Sequence, residues 1–469
     1  VDGLIISGSS SIDESMITGE SLPVDKWEGE KVIGGTMNKQ GFLKIRATSL
    51  GADSMLAHII TMVQDAQGSK APIQKLADQI SSVFVPIVLA LAIASLLVWI
   101  LVGNMVAGII AFVSILIIAC PCALGLATPT AIIVGVGKWA EKGILIKNAE
   151  SLQKLSTVTT VVFDKTGTIT KGKPELVDYI GGNQSSNLQI LASLEKQSEH
   201  PLATAIVEKS QEENIPLLPV TDFIMREGKW VEGVINGEKW FAGNITLMQE
   251  EWIQIDTKKI LTLTKEGKTP IFLAKKWAPA SEVSIFGIAD TIKDNAKDIV
   301  SGLRSLGIKT VMLTGDNQQT AEYIASLVGI DDVRAQVLPH EKEAVIRSLQ
   351  ASGERVAMCG DWINDAPALA RADVGIAMWT GTDVAIETAD ITLLAWDISK
   401  ILLAIKLSKR TMRTIKQNLF WAFIYNIVGI PLAAGIFYPF LLNPIFAGLA
   451  MAMSSVSVVA NSLRLKTFR

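Results

Sequence analysis

Four stretches without a single charged side chain constrain this chain more than any other feature: residues 82–102, 105–137, 418–438 and 444–463. About 20 apolar residues in helical conformation cross the hydrocarbon core of a bilayer. Inside that core every backbone N–H and C=O must be paired within the segment, which leaves the helix as the conformation for each run. The runs come in two pairs, separated by Gly103-Asn104 and by residues 439–443, so they read as two membrane hairpins with four spanning helices. A hydrophobic content of 49% and a mean hydropathy of +0.37 agree with a chain partly solvated by lipid. Lys70 and Lys75 precede the first hairpin, and Lys138, Lys142 and Lys147 follow it. Lys406, Lys409, Arg410, Arg413 and Lys416 precede the second, and Arg464, Lys466 and Arg469 follow it, while the two tips carry no cation. The positive-inside rule therefore predicts polar segments on the cytoplasmic side of an integral membrane protein; the plasma (inner) membrane is the expected location.

The rest divides by pattern. Residues 1–69 are rich in Gly and β-branched side chains with short alternating runs such as Phe42-Leu43-Lys44-Ile45-Arg46, which predicts a small β domain. Hairpin segments occupy 70–148 and 406–469; an α/β pattern runs over 149–171 and resumes over 286–405; mixed helix and strand signals fill 172–285 between its halves. A net charge of -3 gives no basic surface for nucleic acid. Cys120, Cys122 and Cys359 make an odd count without a secretory framework, which argues against structural disulfides. The chain opens on Val1-Asp2-Gly3 rather than Met, so a fragment is expected.

The chemistry centres on Asp164-Lys165-Thr166-Gly167-Thr168. The β-branched run Thr159-Thr160-Val161-Val162-Phe163 reads as a buried parallel strand, and it places Asp164 at the carboxyl edge of a sheet, where open α/β sheets bind ligands. Thr166, Gly167 and Thr168 supply hydroxyls and free N–H groups suited to a phosphate, and a carboxylate facing a phosphoryl group is a nucleophile. A lone Asp-Lys-Thr is commonly a turn cap. Here two further apolar runs end the same way, at Thr314-Gly315-Asp316-Asn317 and at Gly360-Asp361-Trp362-Ile363-Asn364-Asp365.

Together with Thr18-Gly19-Glu20-Ser21, Ser198-Glu199-His200-Pro201-Leu202 and Cys120-Pro121-Cys122, these motifs resemble the P-type ATPases, over nearly all of the chain. The resemblance implies a multidomain membrane protein: an α-helical transmembrane bundle, a Rossmann-like α/β phosphorylation domain of the haloacid dehalogenase (HAD) type, an α+β nucleotide-binding domain and a small β actuator domain. It implies Asp164 as the residue phosphorylated by ATP, with Lys165, Thr166, Thr314, Lys342 and Asn364 around the phosphoryl group and Asp365 completing the shell. Mg²⁺ would rest on Asp164, the Thr166 carbonyl and Asp361. Glu20 would direct the water that hydrolyses the aspartyl phosphate, and Glu195, His200, Gly228, Gly243 and Asn244 would line the adenine pocket. Four earlier helices and a Cys-x-x-Cys metal-binding domain are expected upstream of Val1.

The transported ion follows from the apolar runs. Two thiols flanking Pro121 inside a membrane helix resemble an ion site, and thiolates favour soft ions such as Cu⁺. Tyr425-Asn426 and Met451-Ala452-Met453-Ser454-Ser455 resemble the Cu⁺/Ag⁺ subgroup, with Met451 and Ser455 on one helix face at i, i+4. The set Cys120, Cys122, Tyr425, Asn426, Met451 and Ser455 is thus expected to carry Cu⁺, supplied by a soluble copper chaperone. The alternatives are a Zn²⁺/Cd²⁺ pump, for which the last hairpin lacks an acidic residue, and a catalytically inactive membrane scaffold. Trp139, Trp230, Trp362 and Trp379 stand where the family usually has Gly, so an indole is expected to clash or strain the backbone at each.

Overall fold

The computed structural model describes residues 1–14, 24–51, 54–69, 71–198, 201–226, 230–253, 255, 257–279, 282–360, 365–378, 388–394 and 397–467. The chain forms two compact units, Val1–Thr159 with Ile346–Arg469, and Thr160–Val345.

The first unit opens on a four-stranded antiparallel sheet of β1 (Asp2–Asp13), β2 (Val24–Lys26), β3 (Lys31–Val32) and β4 (Met37–Ser49). Ile5, Ile12 and Val32 turn to one face with Leu43, the period-2 burial of a strand with one wet side. Helix α1 (Met55–Gly68) is N-capped by Ser54, whose hydroxyl accepts from Ala57 N. Helix α2 (Pro72–Leu101) starts on a proline, which lacks the N–H that a first turn leaves unused. Asn104 caps α3 (Met105–Ile118), which stops before Pro121, and α4 (Cys122–Glu141) resumes beyond it. The uncharged run 105–137 is therefore two helices around a break at Ala119-Cys120-Pro121, as the missing proline N–H requires. Strand β5 (Ile144–Ile146) and helix α5 (Ala149–Leu155) follow.

The second unit opens with β6 (Thr160–Asp164) and β7 (Thr170–Ile180). Helices α6 (Gln184–Glu195) and α7 (Pro201–Glu212) lead to β8 (Thr221–Arg226), β9 (Trp230–Ile235) and β10 (Glu238–Gly243). Then come α8 (Ile245–Glu250), α9 (Thr257–Lys265), β11 (Thr269–Lys275) and β12 (Ser284–Ile292). These strands form an antiparallel sheet in the order β7-β12-β11-β10-β9-β8. Its core holds Leu188, Leu191 and Leu194 of α6 against Val231, Ala242, Leu273 and Phe286. Helix α10 (Ala296–Ser305), β13 (Lys309–Leu313), α11 (Gln318–Val328), β14 (Asp332–Arg334) and α12 (Lys342–Ala351) complete the run. Strand β13 lies parallel between β6 and β14.

The chain then returns to the first unit through β15 (Val356–Gly360), α13 (Ala366–Arg371), β16 (Val374–Met378) and β17 (Ile391–Leu393), three parallel strands with β5 antiparallel beside β17. Two long helices close it, α14 (Ser399–Ala434) and α15 (Pro444–Leu463). Among the described residues, Val63–Leu101, Met105–Glu141, Ser399–Ala434 and Pro444–Thr467 are long and apolar enough to cross a membrane, matching the four runs of the sequence. Small residues bring these helices together: a Cβ on Gly429 of α14 would stand 2.4 Å from Cγ1 of Ile118 on α3.

Trp139 departs from expectation. It lies in ordinary helical backbone within α4 and is fully buried, so glycine's freedom is not used there. Its indole Nε1 finds no partner among the described residues. Trp230 begins β9, while Trp362 and Trp379 fall outside the described residues. Left-handed backbone occurs instead at two tryptophans the sequence pattern did not single out, Trp252 (φ 56°) and Trp277 (φ 62°).

Candidate phosphoryl-transfer and ion sites

Four consecutive buried residues of β6 deliver Asp164 to the strand end, where the residue is only 5% exposed. Lys342, at the first turn of α12, donates from Nζ to Asp164 Oδ1 at 2.7 Å, and both side chains are buried. An ammonium and a carboxylate withdrawn from water this far must neutralise each other. Leu313 of β13 pairs with Asp164, so Thr314 begins where β6 ends. Thr314 is buried, and its hydroxyl accepts from Asp316 N at 3.1 Å. Lys165 reaches the Asp316 carboxylate at 2.8 Å. The structure thus brings Asp164, Lys165, Thr314 and Lys342 together at one strand edge. Thr166 follows, exposed and non-helical, before Gly167 at φ 76°.

The turn after Asp164 is braced by residues the sequence reading passed over. Asp290 of β12 accepts from Thr170 Oγ1 and from Gly172 N, and Lys293 donates to the Gly167 carbonyl at 2.7 Å. Burial pushes the Asp290 carboxyl up, against the lowering effect of the Thr170 and Gly172 hydrogen bonds. Gly172, at φ 73°, lets the chain double back, since a Cβ there would meet Gly167 Cα at 3.1 Å. An acid and a lysine flanking the end of β12 were the only trace of this brace in the sequence.

In the antiparallel sheet Glu195 ends α6 and is fully buried, with Ser198 close by. Burial pushes its carboxyl up to about 7, against the lowering effect of Ser198. Gly243 ends β10 opposite Trp230 and is buried. Asn244 caps α8, its Oδ1 accepting from Leu247 N at 3.1 Å. In the first unit Asp365 packs onto Gly360, where a Cβ would meet its Oδ2 at 2.4 Å. Glu20, His200, Gly228, Asp361 and Asn364 lie outside the described residues.

Within the helices, Cys120 is half-buried beside a cluster that includes Ile118, Ala433 and Met451, and Cys122 is exposed at the start of α4. Their sulfurs are joined as a disulfide across Pro121, contrary to the reading of the cysteine count, because a two-residue separation leaves their Cα atoms 5.4 Å apart. Asn426 is buried and Tyr425 half-buried on α14. The buried stripe of α15 runs Ala447, Met451, Ser454, Val458, Ser462, so Ser454 shares the inward face of Met451 and Ser455 is only half-buried.

A parallel strand ending in a buried, lysine-paired carboxylate fits an α/β domain of the HAD type. The haloacid dehalogenase-like hydrolase family matches residues 158–373, and the P-type ATPase actuator domain matches residues 1–64. A silver exporting P-type ATPase of Salmonella typhimurium is 52% identical over 480 residues, covering all of this chain and 58% of its own length. A copper-exporting P-type ATPase of Staphylococcus saprophyticus is 52% identical with 59% of its length covered. The probable copper-transporting ATPase PacS of Synechococcus elongatus is 50% identical with 64% covered. The chain spans about three fifths of the length of the curated relatives it matches. A solved zinc-transporting PIB-type ATPase in an E2.Pi state aligns over 99% of this chain and 76% of its own, with a TM-score of 0.73 and 32% identity. The chain belongs to the P-type ATPases.

Proposed function

We propose that the protein exports Cu⁺ across a membrane, driven by ATP through an aspartyl phosphate on Asp164. The observation that carries this reading is the buried contact of Lys342 Nζ with Asp164 Oδ1, 2.7 Å long at the end of β6. In the proposed cycle an Asp164 oxygen attacks the γ-phosphorus of ATP, the bond to the bridging oxygen breaks, and ADP leaves. Lys342 and Lys165 carry the positive charge that the transferred group needs, and Thr314 donates a hydrogen bond. Water then attacks the phosphoryl group, Glu20 takes its proton, and the Asp164 carboxylate is regenerated.

The donor set fits Mg²⁺: the Asp164 carboxylate and the Thr166 carbonyl are hard oxygen ligands, to which Asp361 adds a carboxylate. Bound there, Mg²⁺ neutralises charge on the phosphates. Asn364 and Asp365 orient the shell, while Glu195, His200, Gly228, Gly243 and Asn244 hold the adenine. For the ion, two-electron reduction of the Cys120–Cys122 disulfide by a cellular thiol gives the soft ligands, and the placement of Cys120 and Met451 in one cluster supports a soft cation, with Cys122, Tyr425, Asn426 and Ser455 beside the path. The names of the silver and copper exporters above favour the same choice. Delivery by a soluble copper chaperone and cytoplasmic domains on a plasma membrane complete the proposal.

Radiolabelled ATP with Cu⁺ should leave acid-stable, hydroxylamine-labile phosphate on the protein, and Asp164→Asn should abolish it. Stimulation by Zn²⁺ and not Cu⁺ overturns the copper assignment, and absence of label with any metal leaves an inactive scaffold.

A further inference from the structure

Charge is spread unevenly along this chain. After Asp397 it carries nine Lys and Arg and no Asp or Glu, in a protein whose net charge is -3. Five of those cations lie on the first half of α14: Lys406, Lys409, Arg410, Arg413 and Lys416. At 3.6 residues per turn they fall within about a third of the helix circumference. The opposite face is buried, from Ile401 through Ala404, Ser408 and Thr411 to Ile415. Lys406, Arg413 and Lys416 are exposed, and Lys409 and Arg410 are half-buried. None of the five side chains has an ion pair or hydrogen bond among the described residues, whereas Lys138 of α4 and Lys154 of α5 each hold a glutamate of their own helix.

The stripe stops where the hydrocarbon begins. Asn418 opens the uncharged run, and Phe420 and Trp421, both exposed, mark the edge of the apolar layer. At a rise of 1.5 Å per residue, Lys416 and Arg413 stand about 3 and 8 Å outside Asn418, the depth of a headgroup layer about 5–8 Å thick. Helix α15 ends at the same level. Asn461 donates to Gln417 Oε1 at 3.3 Å, and Arg464, just past α15, donates to Asn461 Oδ1 at 3.3 Å. Arg464 is exposed, so Arg413, Lys416 and Arg464 share one depth, with Gln417 and Asn461 bridging the two helices.

Like charges gathered this way repel one another unless an anion joins them. Orientation in the membrane requires cations near the helix ends, but neither their confinement to one face nor the polar bridge between α14 and α15. A phosphodiester at headgroup depth accepts the paired N–H donors of Arg and the point charge of Lys.

We propose that Arg413, Lys416 and Arg464 bind the phosphate of an anionic phospholipid, in the leaflet on the side from which the chain enters α14. Gln417 and Asn461 hold the two helix ends together beside it. Lys406, Lys409 and Arg410 continue the positive field away from the membrane and add to the attraction for an anionic surface. The proposal needs only the spanning helices and stands apart from the identity of the transported ion.

The test places the full-length protein in nanodiscs of equimolar phosphatidylglycerol and phosphatidylcholine and counts the retained lipids by native mass spectrometry. Each basic side chain at an anionic surface contributes a factor of about five, and exposure and salt reduce the product for three. Phosphatidylglycerol should therefore be retained in preference by about tenfold or more. Arg413→Gln, Lys416→Gln and Arg464→Gln together should bring the two lipids within about twofold of parity. Lys171→Gln, Lys276→Gln and Arg334→Gln together remove as much charge far from α14 and should leave the preference unchanged. Arg413→Lys with Arg464→Lys keeps the charge, gives up the planar fork, and should retain part of the preference. Parity in the parent protein overturns the proposal, as does a preference that survives the triple change on α14 and α15. An equal loss in the distant triple variant overturns it too, because net charge alone would then attract the lipid. Displacement of the bound lipid by millimolar glycerol 3-phosphate would reveal a site for soluble phosphate esters and overturn the lipid assignment.

Discussion

Removing the ammonium of Lys342 tests the phosphoryl-transfer site most directly. In the resting site its Nζ lies 2.7 Å from Asp164 Oδ1, with side-chain exposures of 10% and 7%. Lys342→Ala leaves a buried carboxylate without this partner, and breaking such a pair costs about 3–5 kcal/mol. Part of that cost is relieved in the variant by entering water, and it falls on the ground state as well. The transfer step suffers separately, because the phosphoryl group brings further negative charge to the same place. Losing one preorganised donor at such a point slows a reaction about 10²–10³-fold, or about 3–4 kcal/mol. The assay is rapid-quench labelling with radioactive ATP at saturating Mg²⁺ and Cu⁺, comparing Lys342→Ala, Lys342→Arg and the parent. Arg keeps the charge in a planar fork that no longer matches the position of Nζ, so its rate should lie between the other two. Thermal unfolding alongside identifies variants that are merely unfolded. A folded Lys342→Ala that labels within about fivefold of the parent refutes the reasoning, since charge at that spot would then contribute little to the barrier.

Three other outcomes follow from the geometry. Trp252 and Trp277, exposed and at φ 56° and 62°, should each gain about 1 kcal/mol on replacement by Gly, seen as a higher midpoint of thermal unfolding; no gain means the left-handed backbone is unstrained there. Glu195 holds its proton up to about pH 7 in the folded chain, whereas the unfolded chain releases it in the ordinary carboxylate range. Stability of the sheet it packs on should therefore fall by about 3 kcal/mol as pH rises from about 4.5 to 7, and Glu195→Gln should flatten the profile in hydrogen exchange of the α6 amides; an unchanged slope in that variant refutes the assignment. Gly429→Leu should weaken the bundle by forcing Ile118 aside, and Ile118→Ala should restore part of the loss; additive losses would show that the two positions do not share the contact.

The amino-acid sequence was enough to place the spanning helices, because absence of charge over some twenty residues has one solution in lipid. It was enough to locate Asp164 as well, since a β-branched run that ends in an acid and a tight turn specifies a strand edge by local rules alone. Pairing across the chain was a different matter. Nothing local tells Lys342 from any other helix lysine; the parallel fold of β6 against β13 and the chain's path into α12 bring it 178 positions back to Asp164. The brace of Asp290 and Lys293 on the Gly167 turn has the same origin, in the antiparallel pairing of β12 with β7. Helix periodicity could not choose between Ser454 and Ser455, because i, i+3 and i, i+4 from Met451 are both near one face. Antiparallel packing against α14 buries Ser454 and leaves Ser455 half-buried, since the buried face of a helix is set by the helix it meets.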